Sequence, residues 1–193
     1  MTDGSASRPS RPVHAATTGA EPRLKALLAE VRARTPALVD GLPAEDLVVQ
    51  SMPDASPAKW HLAHTTWFFE TFVLRPFDPG YRSPDDRYAH LFNSYYVQAG
   101  ARYDRPRRGL LTRPTLPEVL AWRARVDEAL EALLDRVEGV AAREVAALVE
   151  LGCHHEMQHQ ELLLTDLLHA FSFNPLTPAH RAPEPLAVEP PPE

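Results

Sequence analysis

The residues with the most chemical promise form one run, His154-His155-Glu156-Met157-Gln158-His159. On a helix, His155 and His159 stand one turn apart, with β-carbons about 6 Å from each other, so both imidazoles can reach one metal ion. A lone inward histidine satisfies its polar atoms easily. Two in register on an apolar face do so less easily, and a divalent cation answers both at once. Leu148, Gly152 and Leu162 share that face. The pattern predicts that the pair points into a bundle, with Gly152 leaving room beside His155. His154 is rotated by about 100° and faces a neighbouring helix or solvent.

A third ligand must come from another segment. His64 lies inside an aromatic stripe, one turn after Trp60 and one turn before Phe68. His61 sits only about 60° around the same helix, so spacing leaves both open. His90 in a loop, His169 near a helix end, and His14 and His180 in the tails need no metal to explain them. Glu156 also completes H-E-x-x-H, where it would be the general base for a zinc-bound water. The extensions that a protease needs are missing. Leu162 and Thr165 stand where Gly and His would be required, a proline tail follows, and no edge strand is evident to hold a peptide.

Four helices can position these residues. Leu24, Leu27, Leu28, Val31, Thr35 and Leu38 mark one face of a helix from Pro22 that Gly41 ends. A second begins with Ser56 as N-cap and Pro57 at the first helical position, runs to about Leu74 and stops before Arg75-Pro76. A third opens with a capping box, Thr115-Leu-Pro-Glu118, buries Val119, Trp122, Val126, Leu130, Leu133 and Val137, and breaks at Gly139. The fourth spans roughly residues 141 to 170. Residues 75–114 lack helical period but carry Tyr81, Tyr88, Phe92, Tyr95, Tyr96 and Tyr103, poor material for disorder. The expected fold is therefore an all-α four-helix bundle, residues 21–173, with a long ordered crossover loop. A disordered arm over residues 1–20 and a Pro-rich linker over 174–193 flank it.

Composition narrows the function classes. The 193 residues carry 20 Lys+Arg against 26 Asp+Glu, net −6, which speaks against a nucleic-acid groove or a basic membrane patch. No apolar run approaches the roughly 18 residues of a membrane span, and the first residues lack the apolar core of a signal peptide. Cys153 is the only cysteine, so no intrachain disulfide is possible, and the cytoplasm is the simplest compartment.

Four motifs, in order, carry a family resemblance. Ser56-Pro57-Ala58-Lys59-Trp60-His61-Leu62-Ala63-His64-Thr65, followed by Trp67-Phe68-Phe69-Glu70, resembles the first metal motif of the ergothioneine-biosynthetic sulfoxide synthases, the EgtB family. Phe92-Asn93-Ser94-Tyr95-Tyr96 and Arg107-Arg108-Gly109-Leu110-Leu111-Thr112-Arg113-Pro114 are similar to its long loop. The run from His154 to Leu162, then Phe173-Asn174-Pro175-Leu176, is similar to its last helix and exit.

The resemblance implies a DinB-like domain whose three histidines, here His64, His155 and His159, bind one non-haem iron(II). It further implies oxidative coupling of cysteine or γ-glutamylcysteine to hercynine with O2, giving a sulfoxide. Gln158 then lies near the hercynine ring, and Arg107 or Arg108 holds the carboxylate of the thiol substrate. In that family a second domain follows the linker and supplies a catalytic tyrosine, so this chain is expected to be the N-terminal half alone. Two alternatives stand beside it: a DinB-type thiol S-transferase using zinc or nickel, and a non-catalytic metal-binding partner of a split enzyme.

Overall fold

The computed structural model describes residues 20–94 and 100–181. The expected disordered arm up to residue 19, Tyr95 and Tyr96 of the loop motif, and most of the Pro-rich tail lie outside these residues, while Ala20, expected in the arm, opens the first helix. Four long helices carry the architecture: α1 (Ala20–Ala37), α2 (Ala58–Phe69), α3 (Leu116–Arg136) and α4 (Gly139–Ser172). The fold is all-α, and no strand occurs among the described residues. Nor, among them, is any helix long and apolar enough to cross a membrane.

The α2 helix is the centre of the bundle. It packs against both α3 and α4, while α1 packs mainly on α4. Every residue of α2 is buried, including Lys59, His61, His64, Thr65 and Thr66. Such a helix must find hydrogen-bond partners for its polar side chains inside the protein. Lys59 Nζ donates to the carbonyls of Leu111 and Pro114, both at 2.8 Å, and so ties the end of the crossover loop to α2. Burial lowers the pKa of this amine.

Helix ends agree with local sequence where local chemistry decides them. The Thr115–Glu118 capping box is present in both directions. Ser56 differs from expectation because tertiary partners claim it. Its N–H donates to Asp166 at 2.8 Å and its hydroxyl accepts from Arg108 at 2.9 Å, so Pro57 occupies the cap position. The second helical segment also runs past Leu74. A π turn over Glu70–Leu74 lets the Arg75 N–H reach the Glu70 carbonyl, and the chain continues helically through Pro76 to Phe77. The wider turn accommodates a proline that would otherwise break the helix. The break expected at Gly139 is present: α3 ends at Arg136, and Gly139, with a φ of +66°, makes the reversal and opens α4 two residues earlier than expected.

The crossover loop is ordered where described, with short turns at Tyr88–Leu91 and Arg105–Leu110. Tyr88 and Phe92 place their rings 4.8 and 5.7 Å from Trp122 of α3. Gln50 clamps the second turn: its amide donates to the Arg105 carbonyl at 2.8 Å and its oxygen accepts from Gly109 N–H at 2.7 Å. A β-carbon at Gly109 would lie 2.8 Å from Gln50, too close for any residue but glycine without a shift.

A buried ionic cluster locks α1, α3 and α4 together. Glu156 accepts from Arg32 at 3.0 Å and from Arg123 and Thr35. Arg32 also pairs with Asp127. Burial alone would raise the Glu156 pKa, but the two guanidiniums outweigh it and hold the carboxyl below its usual range. Removing one member of such a cluster leaves the others buried and uncompensated. Glu156→Gln is expected to lower stability by about 3–5 kcal/mol. Urea denaturation of the metal-free protein measures this, and a loss within 1 kcal/mol would mean that the cluster is not structural.

Candidate metal centre

His64 on α2 and His155 and His159 on α4 each offer a ring nitrogen, and these atoms all lie within 4.8 Å of one another. His64 Nε2 and His155 Nε2 are 3.2 Å apart. Two nitrogens each about 2.1 Å from one ion are separated by roughly 3.0–3.4 Å, so this spacing suits shared coordination. His64 is fully buried, whereas His155 and His159 are half-buried. The cluster therefore sits at the rim of the bundle, not deep within it as the helical face predicts. Leu162, on that same face, is 41% exposed.

The fit rests on the state of the rings. A ligating imidazole must be neutral, with its second nitrogen satisfied elsewhere. His64 Nδ1 lies 2.6 Å from the Phe92 carbonyl, which accepts its hydrogen and leaves Nε2 with a lone pair. Burial, and then the neighbouring His155, lower the His64 pKa well below 6.5. Burial lowers His155 to about 4, with Glu156 opposing. For His159, burial acts first and His64, His61 and His155 reinforce it, again downward. Three neutral imidazoles at one point form a donor set for a divalent transition metal.

Aromatic rings orient the cluster. Trp60 stacks on His64 at 4.6 Å and 11°, and Trp67 stacks at 5.4 Å and 15°. Phe68 stacks on His155 at 4.5 Å and 30°. Gly152 serves this packing differently from the sequence expectation. The space beside it is filled by the Phe69 ring, which would lie 2.5 Å from an added β-carbon, so it leaves no room for a metal.

The remaining candidates separate. Glu156 turns away from the histidines into the Arg32–Arg123 cluster, so it cannot act as general base at the metal, and this sets the zinc-protease chemistry aside. Arg107 and Arg108 diverge. Arg107 is exposed beside Asp104, whereas the Arg108 guanidinium lies 3.4 Å over the Trp60 ring and is only 4% exposed. Gln158 lies exposed on α4 between the two histidines. His154 is exposed as well.

His61 turns out to be part of the site. Its Nδ1 lies 2.9 Å from His159 Nδ1 and its Nε2 lies 3.1 Å from Asp166 Oδ2. The spacing of Asp166, seven residues and so about two turns after His159, carried this signal. The Phe92 carbonyl carried none, since any residue in a loop could have offered it.

A helical bundle that gathers three imidazoles from two of its helices defines a class of metal-binding helical domain. A family model described as the DinB superfamily matches residues 27–163, and the chain belongs to that superfamily. No curated protein matches the chain.

Two expectations follow. His64→Ala should abolish tight binding of cobalt(II), whereas His154→Ala should leave it unchanged; equilibrium dialysis with metal analysis distinguishes them. The depressed histidines also set a pH dependence for the metal-free protein. Each binds its proton more readily unfolded than folded, so stability is complete above about pH 6.5 and falls as the pH drops from there toward 4. The slope is up to about 1.4 kcal/mol per pH unit for each histidine. Urea titrations between pH 7.5 and 5 check it, and a flat profile would contradict it.

Proposed function

We propose that this chain is the iron(II)-binding half of a sulfoxide synthase that couples a cysteine-type thiol to hercynine with O2. The observation that supports this reading best is where the family-like motifs lie. Three segments far apart in sequence pack on one cluster: Phe92 bonds His64, Ser94 lies 3.5 Å from Arg108, and Arg108 covers Trp60, which stacks on His64. A loop that served only to connect helices would have no reason to converge there.

Each group then has a role. His64, His155 and His159 would hold the metal from one side. The bound iron supplies a coordination position for the thiolate and redox capacity toward O2. Trp60, Trp67 and Phe68 exclude water behind the ligands. The positive charge of Arg108 reaches His61, His64 and His159, lowering their pKa after burial has done so, and the same field favours an anionic substrate group at the open face. A carboxylate of the thiol substrate would meet the Arg107–Arg108 turn, whose planar guanidiniums match it. Exposed Gln158 would contact the hercynine ring through water. The cytoplasm suits these reduced reactants.

Oxygen uptake by the iron-loaded chain tests the proposal. It is expected only with hercynine and cysteine, or γ-glutamylcysteine, together, either alone or after mixing with a separately produced C-terminal domain of this enzyme class. Uptake that appears only on mixing identifies one half of a split enzyme. Transfer of the thiol to an electrophile with zinc or nickel and no oxygen uptake would instead identify a thiol S-transferase.

A further inference from the structure

His61 stands outside the three converging nitrogens yet is bonded to one of the residues that carry them. The links run from Asp166 Oδ2 to His61 Nε2 at 3.1 Å, and from His61 Nδ1 to His159 Nδ1 at 2.9 Å. The same Asp166 oxygen accepts the Ser56 N–H at 2.8 Å, so the start of α2 anchors it. His61 is 2% exposed, and water does not compete freely for these bonds.

With both imidazoles neutral, only one arrangement of hydrogens satisfies the whole chain. A carboxylate accepts and does not donate, so His61 Nε2 carries a hydrogen. A neutral imidazole has a single N–H, which makes His61 Nδ1 an acceptor. His159 Nδ1 must then donate, and Nε2 is left as the one nitrogen of His159 able to bind a metal. The opposite direction would place a hydrogen on His159 Nε2, the position where a metal must bind. A hydroxyl at 166 could donate as readily as accept and would not fix the direction, whereas an amide does so as long as its oxygen faces the Ser56 N–H.

We infer that Asp166 and His61 are positioning residues: together they hold His159 as its Nδ1–H tautomer and fix its ring for metal binding. The Phe92 carbonyl does the same for His64 through one bond. Two of the three ligands are thus oriented before any metal arrives, one by the crossover loop and one by α4 through α2. Partners of this kind are generally worth 10–100-fold in metal affinity. The inference rests on the three-histidine metal site, but the tautomer is a property of the metal-free chain.

Long-range proton–nitrogen NMR on metal-free protein labelled with 15N-histidine reads it directly. The expected result is His159 protonated at Nδ1 and His61 at Nε2. In Asp166→Leu, the His159 tautomer should become mixed, cobalt(II) affinity by chelator competition should fall about 10–100-fold, and the visible cobalt bands should shift. Asp166→Asn keeps an oxygen facing the Ser56 N–H and His61 and should stay within a few-fold of the parent. A hydrogen on His159 Nε2 in the parent protein would overturn the inference, as would parental cobalt affinity and bands in Asp166→Leu. If that variant does not fold, the parent tautomers decide. A parent chain that binds no cobalt would reject the metal site itself, while its tautomers would still decide the roles of Asp166 and His61.

Discussion

Crowding three imidazoles against one another is unfavourable unless each stays uncharged and each has a partner for its outer nitrogen. Much of this protein answers that constraint. The Phe92 carbonyl takes the outer hydrogen of His64, which requires the crossover loop to return over α2. The return is held in turn by Lys59 and Gln50, neither of which touches the cluster's nitrogens. A polar residue inside a helix that has no solvent-facing side thus becomes a fastening point for the loop it meets.

The same logic explains why Glu156, between two histidines of one motif, serves structure and not chemistry. Its position on α4 points about 100° from His155, into the seam where α1, α3 and α4 meet. Two arginines and a threonine satisfy it there. The rotational phase of α4 is fixed by this bond set, and with it the direction of His155 and His159. A charged cluster on one side of the helix therefore aims the ligands on the other.

How much of this was legible in the sequence depends on the range of the physics involved. The Thr115–Glu118 box and the His155–His159 spacing are local, and both were readable from a few adjacent residues. Ser56 was misread as a cap because Asp166 and Arg108, distant in sequence, outcompete the local bond. Pro76 read as a stop because the π turn before it depends on a buried Glu70, which accepts from Tyr81 and Trp122. The choice between His61 and His64 was open on spacing because both do belong to the centre. Gly152 was read as space, and it is contact, since only the packed structure shows that Phe69 fills it.

The twelve residues of α2 have no surface of their own. Any substitution along it meets α3, α4 or the loop, so this segment has little freedom to drift without loss of the fold. Freedom to change without disturbing the core lies instead on the outer side of α4, where His154, Met157 and Gln158 reach solvent. The bundle separates a buried grip from an open rim, and side chains at the rim can change without reopening the interior.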